Sequence, residues 1–304
     1  VDFVEAYLDL CELFEKINRS DQIESVIRDA TKNNLEKTDD FLYYEALVEF
    51  HKENFKASEK LANKIDLTQV AQKWQPSRVK LRADLSHNKQ DYGAAFEAYK
   101  LKNKLVRDSA EFKIQQAEKY LLQQKQTVLQ IKKLGKKSPY KPAIRSCGTQ
   151  PTFMIGFPRS GTTLLDTILR THSKIDVLEE LPMSEKMISS LGHVTTISRI
   201  EDLSETETKI ARDIYLKELK KYVKVGEKAV MIDKLPLNIL HIPLINRVFP
   251  NAKFILALRH PLDCVLSCWM QDFELNPAMA NTYELQRTVD FYDAAMSIFK
   301  LSDE

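Results

Sequence analysis

The stretch Phe153-Met154-Ile155-Gly156-Phe157-Pro158-Arg159-Ser160-Gly161-Thr162-Thr163-Leu164-Leu165 decides the fold. An apolar run ends at Gly156, a tight loop carries Arg159 and Ser160, and Gly161-Thr162-Thr163 opens an apolar segment of helical period. The pattern predicts a strand over 152–156 and a helix over 161–172. A strand, a glycine-bearing loop and a helix N-terminus together form an anion cradle, because backbone N–H groups and the positive end of the helix dipole converge there. A nucleotide-triphosphate loop of the Gly-x-x-x-x-Gly-Lys-Ser/Thr type needs a lysine where Thr162 stands. The basic group has moved into the loop as Arg159, which suits a shorter group such as a 5′-phosphosulfate.

Moving outward, Lys253-Phe254-Ile255-Leu256-Ala257-Leu258 is a continuous apolar run of the kind found in strands buried on both faces. Arg259 stands at its end, and Pro261, tolerated in a first helical turn, opens a predicted helix over 261–271 that contains Ser267. Taken alone, Arg259 reads equally well as a strand-end arginine paired with a surface carboxylate.

Together the two segments resemble the sulfotransferases that use 3′-phosphoadenosine 5′-phosphosulfate (PAPS). The resemblance implies that Pro158, Arg159, Ser160, Gly161, Thr162 and Thr163 hold the phosphosulfate. It implies that Arg259 and Ser267, eight residues apart, hold the donor's 3′-phosphate. Two more segments extend it towards the tyrosylprotein sulfotransferases. Ile175-Asp176-Val177-Leu178-Glu179-Glu180-Leu181-Pro182 is similar to that family's Gly-Glu-Glu segment, with Leu178 in place of the glycine. The match assigns Glu180 as catalytic base, next to Glu179. A helix N-terminal carboxylate pair is the plain alternative. Ala229-Val230-Met231-Ile232-Asp233-Lys234-Leu235-Pro236 resembles the segment whose lysine stabilises charge on the bridging oxygen and sulfuryl group, which makes Lys234 the electrophilic residue. Leu235 lies where small-molecule sulfotransferases carry a catalytic histidine, so the carboxylate-base type is favoured.

The implied reaction is in-line transfer of the sulfuryl group from PAPS to a hydroxyl acceptor, with Arg159, Lys234 and backbone donors stabilising charge. No metal is expected: the six histidines are scattered without ligand spacing, and Cys264 and Cys268, one helical turn apart, read as buried packing residues.

Residues 1–131 show no convincing strand. Apolar residues recur at helical intervals over 3–16, 22–31, 41–50, 55–65, 76–85, 92–106 and 108–134. Gln22, Phe55 and Tyr92 follow similar polar turns, at spacings close to the roughly 34-residue tetratricopeptide period. The expectation is an all-α array of TPR-like hairpins, degenerate because Lys102 stands where alanine is usual. Stacked hairpins bury faces that one pair cannot bury alone. A basic, proline-containing linker over 132–150 follows. From 151 to 304, predicted strands at 152–156, 175–178, 228–233 and 253–258 alternate with helices, giving an α/β domain with a parallel sheet whose ligand belongs at the strands' carboxyl ends.

With 43% hydrophobic and 29% charged residues, a net charge of +2 and no run of 18 apolar residues, the chain reads as soluble and cytoplasmic, without a nucleic-acid partner or transmembrane segment. Val1 is not an initiator methionine, and the chain stops just after a helix, so a C-terminally truncated sulfotransferase domain is expected. Protein tyrosine, a sugar hydroxyl and a small phenol all fit as acceptor; an adjoining helical domain favours a protein or peptide. Two other classes compete: a P-loop kinase-like phosphotransferase, and a TPR-type interaction protein with an inactive sulfotransferase domain.

Overall fold

The structure, a computed structural model, describes residues 4–33, 38–134, 151–192, 196–222 and 230–303. It divides into two compact units, residues 1–111 and 112–304.

The first unit is helical: α1 Val4–Lys16, α2 Ser20–Lys32, α3 Asp39–His51, α4 Phe55–Ala62, α5 Gln75–Asn88 and α6 Tyr92–Ser109. They pair as hairpins α1/α2, α3/α4 and α5/α6. In each hairpin turn one residue takes the left-handed conformation: Asn18, Glu53 and Gln90, with φ of 56°, 63° and 64°. That conformation reverses the chain tightly at modest steric cost. Ala46 and Ala83, fully buried, sit where the paired helices approach. Ser58 Oγ donates to the Ala46 carbonyl at 2.7 Å. The second helix of the first hairpin starts at Ser20, two residues before the apolar run at 22–31, and Asp21, paired with Arg19 at 3.1 Å, lies in its first turn.

The second unit begins at Phe112, the second residue of α7 (Glu111–Leu134). This corrects the expected boundary at 131. Leu121, Val128 and Ile131 of α7 are buried in the same core as Phe153 and Ile155, Tyr120 packs edge-on against Phe291, and Gln130 Oε1 accepts the Ile197 N–H at 3.0 Å. Lys132 and Lys133, read as linker, are the last turn of α7; the rest of that linker lies outside the described residues.

Strands β1 Thr152–Gly156, β2 Ile175–Glu179, β3 Val230–Lys234 and β4 Lys253–Ala257 form a parallel sheet in the order β2-β3-β1-β4. On β1, Phe153 and Ile155 face a core shared with α7, α9 (Met183–Ser190), α11 (Glu205–Leu219), α12 (Ile242–Val248) and α14 (Leu285–Asp303). Met154 faces the other side, where Val177 and Ile232 meet Leu165 and Leu169 of α8 (Thr162–Leu169). Burial on both faces explains why these strands read as apolar runs. A five-residue helix, α10 (Ile197–Glu201), and α13 (Pro261–Met270) complete the unit. After β3 the chain forms a 3-10 turn, Pro236–His241, that runs into α12. All four strands present their carboxyl ends on one edge, with β1 and β3 central and adjacent.

Candidate active site

At the end of β1 the chain must turn in very little space. A Cβ on Gly156 would lie 2.6 Å from Ser160 Oγ and 2.9 Å from the Ala257 carbonyl oxygen, so glycine is required where the loop folds back on β4. Ser160 N–H donates to the Phe157 carbonyl at 3.1 Å and closes the turn. Arg159 (φ 67°) and Gly161 (φ 96°) are both left-handed. Such a conformation at a non-glycine residue costs about 1 kcal/mol or more and persists only where the surroundings enforce it. Gly161 caps α8, whose first N–H groups have no intrahelical partner. Ser160 Oγ is buried and has no hydrogen-bond partner. An unsatisfied hydroxyl beside a helix N-terminus fits an anionic group bound in this loop, as a phosphosulfate would require.

The loop also meets α13. Arg159 Nε donates to Ser267 Oγ at 3.0 Å, joining the two segments assigned to opposite ends of the donor. Cys268 Sγ, buried, donates to the Pro158 carbonyl at 3.3 Å. Arg259 is half-exposed and pairs with Asp263 at 3.5 Å. Its guanidinium thus stands at the carboxyl end of β4 and pairs with a surface carboxylate, while Ser267 is bonded to Arg159.

The carboxylates and the lysine form the second cluster. Glu179 is the register partner of Lys234 across β2 and β3. Lys234 is 1% exposed, and its Nζ donates to Glu179 Oε1 at 2.7 Å and to Glu180 Oε1 at 3.3 Å. A buried ammonium is tolerable only with such charged partners. Glu180 is left-handed (φ 51°), and its N–H donates to the Lys234 carbonyl at 2.8 Å, one rung beyond the strand. This turn aims Glu180 outward from the sheet edge, its side chain more than half exposed. It also separates Glu180 from α9, which starts at Met183, so Glu180 is not a helix-capping carboxylate. Leu178, in the glycine's place, is an ordinary buried strand residue, so that departure leaves the turn intact. The lysine's register partner on β1 is Met154, two residues before Gly156, which brings Lys234 beside the loop strand.

Asp233, next to Lys234 on β3, is 2% exposed. Its Oδ2 accepts from Tyr215 Oη at 2.8 Å and from Ser184 Oγ at 3.4 Å. Desolvation pushes its carboxyl up to about 6. Asn238 Nδ2 donates to Ser184 Oγ at 3.1 Å. This network ties β3 to α9 and α11 behind the site. Its members lie at sequence separations no local pattern relates, so only the Asp233–Lys234 pair carried a signal. Among the described residues no three His, Cys, Asp or Glu side chains cluster as metal ligands.

Residues 151–301 match the family model described as "Sulfotransferase family". The chain is 31% identical over 198 residues to an uncharacterized protein of Aquifex aeolicus (strain VF5), covering 61% of this chain and 25% of that protein. It is 30% identical over 113 residues to protein-tyrosine sulfotransferase 1 of Homo sapiens, covering 35% of this chain and 30% of that protein. The Mus musculus protein of the same name matches at the same identity and coverage. The chain thus spans about a quarter to a third of the length of the curated relatives it matches. No solved structure matches.

Proposed function

Since residues 151–301 belong to the sulfotransferase family, we propose that the protein transfers a sulfuryl group from PAPS to a hydroxyl acceptor at the carboxyl edge of its sheet. The observation that carries this reading is the buried Lys234 ammonium held against Glu179 and Glu180, one strand from a glycine-turned anion loop. Residues 158–163 hold the phosphosulfate end of the donor in the manner of a P-loop. Arg259 and Ser267 hold the 3′-phosphate, and Arg159, already bonded to Ser267, links the two ends.

PAPS, when bound, supplies an activated sulfuryl group. Glu180 takes the proton of the attacking hydroxyl. Lys234, the α8 N-terminus and Arg159 neutralise charge on the leaving phosphate oxygen. Glu179 makes the shorter bond to Lys234, so the ammonium stays anchored while Glu180 changes its proton. The human relative's name points to tyrosine in a protein as acceptor. The helical unit, three hairpins arranged as TPR-like repeats, suits an extended chain.

Two variants test the assignment. Glu180→Gln removes the base and keeps size and hydrogen bonding, so turnover with labelled PAPS should fall by about 10²–10⁴ while affinity for adenosine 3′,5′-bisphosphate holds. Arg259→Ala should weaken that affinity by one to two orders of magnitude, the value of a charge-assisted bond of about 1.5–3 kcal/mol. Calorimetry showing no bisphosphate binding by the parent protein rejects the donor assignment.

A further inference from the structure

The two oxygens of Glu179 face different cations. Oε1 accepts from Lys234 Nζ at 2.7 Å, and Oε2 lies 3.9 Å from Arg170 Nη2. Arg170 caps the C-terminus of α8, the helix that the anion loop opens. Leu165 and Leu169 seat α8 on the sheet face of Met154, Val177 and Ile232, which fixes the helix relative to β2.

The helix runs back from the carboxyl end of β1 to the start of β2, so Arg170 begins far along the sheet from Glu179. Helical side chains tilt back towards the N-terminus, however. Asp166, one turn earlier, draws the guanidinium the same way. It is 3% exposed, and Arg170 donates to it through Nε and, at 3.1 Å, through Nη2. A buried carboxylate requires such a partner, and acid before base at i, i+4 is the favoured order. The bonds to Asp166 raise the Arg170 pKa above its ordinary value, and the charges of Glu179 and Asp176 add to them. The result is a row of alternating charge, Asp166–Arg170–Glu179–Lys234–Glu180, that runs from α8 to β2 and β3 and ends in the turn after β2.

Glu179 and Glu180 are chemically alike and meet the same ammonium, so their surroundings must decide which one takes a proton. A carboxylate held between two cations is the poorer base, because a proton must displace both. Glu180 meets Lys234 at 3.3 Å and lies at the open end of the row. Resting on the sulfotransferase reading above, we propose that Arg170 is a positioning residue for the reaction: by facing Glu179 Oε2 it fixes Glu179 on Lys234 and leaves Glu180 as the base. Asp166 aims the guanidinium. One short helix thus opens from the donor loop at its N-terminus and sets the base from its C-terminus.

The test uses the full chain with labelled PAPS and 4-nitrophenol, and a second readout that needs no turnover: exchange of the Lys234 ammonium protons with water, followed by ¹⁵N NMR. Arg170→Met keeps the reach of the side chain and removes its charge. It should lower kcat by about three- to five-fold, the worth of a half-exposed ion pair, and quicken the ammonium exchange by a similar factor. Arg170→Lys should recover most of both losses, and affinity for adenosine 3′,5′-bisphosphate should hold in each variant. In a Glu180→Gln background Arg170→Met should cost nothing further, because there is no base left to select. Melting curves check folding, and Arg170→Gln replaces the methionine variant if that one does not melt cooperatively. An equal cost in the Glu180→Gln background means a merely structural role and overturns the proposal. So does a charge-removing variant with the parent's kcat and the parent's ammonium exchange. Failure of the sulfotransferase reading looks different: the parent transfers no label to 4-nitrophenol or to a tyrosine-containing peptide, yet ammonium exchange still quickens in Arg170→Met.

Discussion

Gly156 is the residue at which the loop has least freedom. The close approaches to Ser160 Oγ and to the Ala257 carbonyl involve the loop hydroxyl and a neighbouring strand's backbone, neither of which is a flexible tip. Gly156→Ala should therefore destabilise by about 1–3 kcal/mol and lower the melting temperature by roughly 3–10 °C. It should also weaken adenosine 3′,5′-bisphosphate binding, because relief requires Ser160 to move; a melting curve within 1 °C of the parent's would show that the loop has slack. Asp233 and His241 give a second residue-scale expectation. Asp233 has its folded pKa raised from 3.8 to about 6, so between those values the native state binds the extra proton and stability falls as pH rises. His241 has its folded pKa lowered from 6.5 to about 4, so across nearly the same window the unfolded state binds the extra proton and stability rises with pH. The two slopes oppose. Asp233→Asn should leave the histidine's slope unmasked, and its melting temperature should climb more steeply from pH 4 to 6 than the parent's. Parallel curves would mean that Asp233 does not titrate there.

Among elements, α7 carries the sharpest expectation. Leu121, Val128 and Ile131 lie buried in the second unit's core, and burying each is worth about 1.5–3 kcal/mol. Their sum rivals the whole stability of a typical domain, about 5–15 kcal/mol. A chain beginning at Phe112 should fold with a cooperative melt, whereas one beginning at Lys141 should lack it; circular dichroism on the two decides. Equal melts would make α7 an accessory. Sequence periodicity found this helix but placed it with the hairpins. Its apolar residues are split, with Phe112, Leu122 and Leu129 exposed while Leu121 and Val128 are buried, and nothing in that pattern names a partner. Among the described residues the strands were legible to within one residue, because burial on both faces leaves an unbroken apolar run ended by glycine, glutamate, lysine or arginine; the expected strand positions 228–229 lie outside the described residues. Glu180 with Lys234, and Arg159 with Ser267, were legible as motif residues; the turn after β2 brings the first pair together, and the approach of the loop to α13 the second. The Tyr215–Asp233–Ser184–Asn238 network was not, because it is made by tertiary packing of segments far apart in sequence. The five-residue α10 is too short to leave a period.

At the scale of the molecule, the two units divide the chemistry unequally. The loop and the Lys234 cluster both belong to residues 112–304, and the first unit contributes neither. Its hairpins present instead a surface groove of about 450 Å³ between α2, α3 and α4, rimmed by Glu24, Glu45 and Glu49 and by Lys52, Lys60 and Lys64. Mixed charge around an apolar floor of Ile27, Val48 and Leu61 suits a polypeptide. If the helical unit recruits and the second unit reacts, a chain beginning at Phe112 should keep the parent's affinity for adenosine 3′,5′-bisphosphate. It should also keep turnover on a small aromatic alcohol within about three-fold, since no group in its site has been removed. What it should lose is any preference for a protein-borne acceptor, as a rise in KM at nearly constant kcat, the signature of lost uniform binding. The melt of the shortened chain comes first, because an unfolded domain loses every activity alike. A fall in kcat on the small alcohol, in a chain that melts cooperatively, would mean that the hairpins shape the reacting site itself, and the division into a recruiting and a reacting unit would fail.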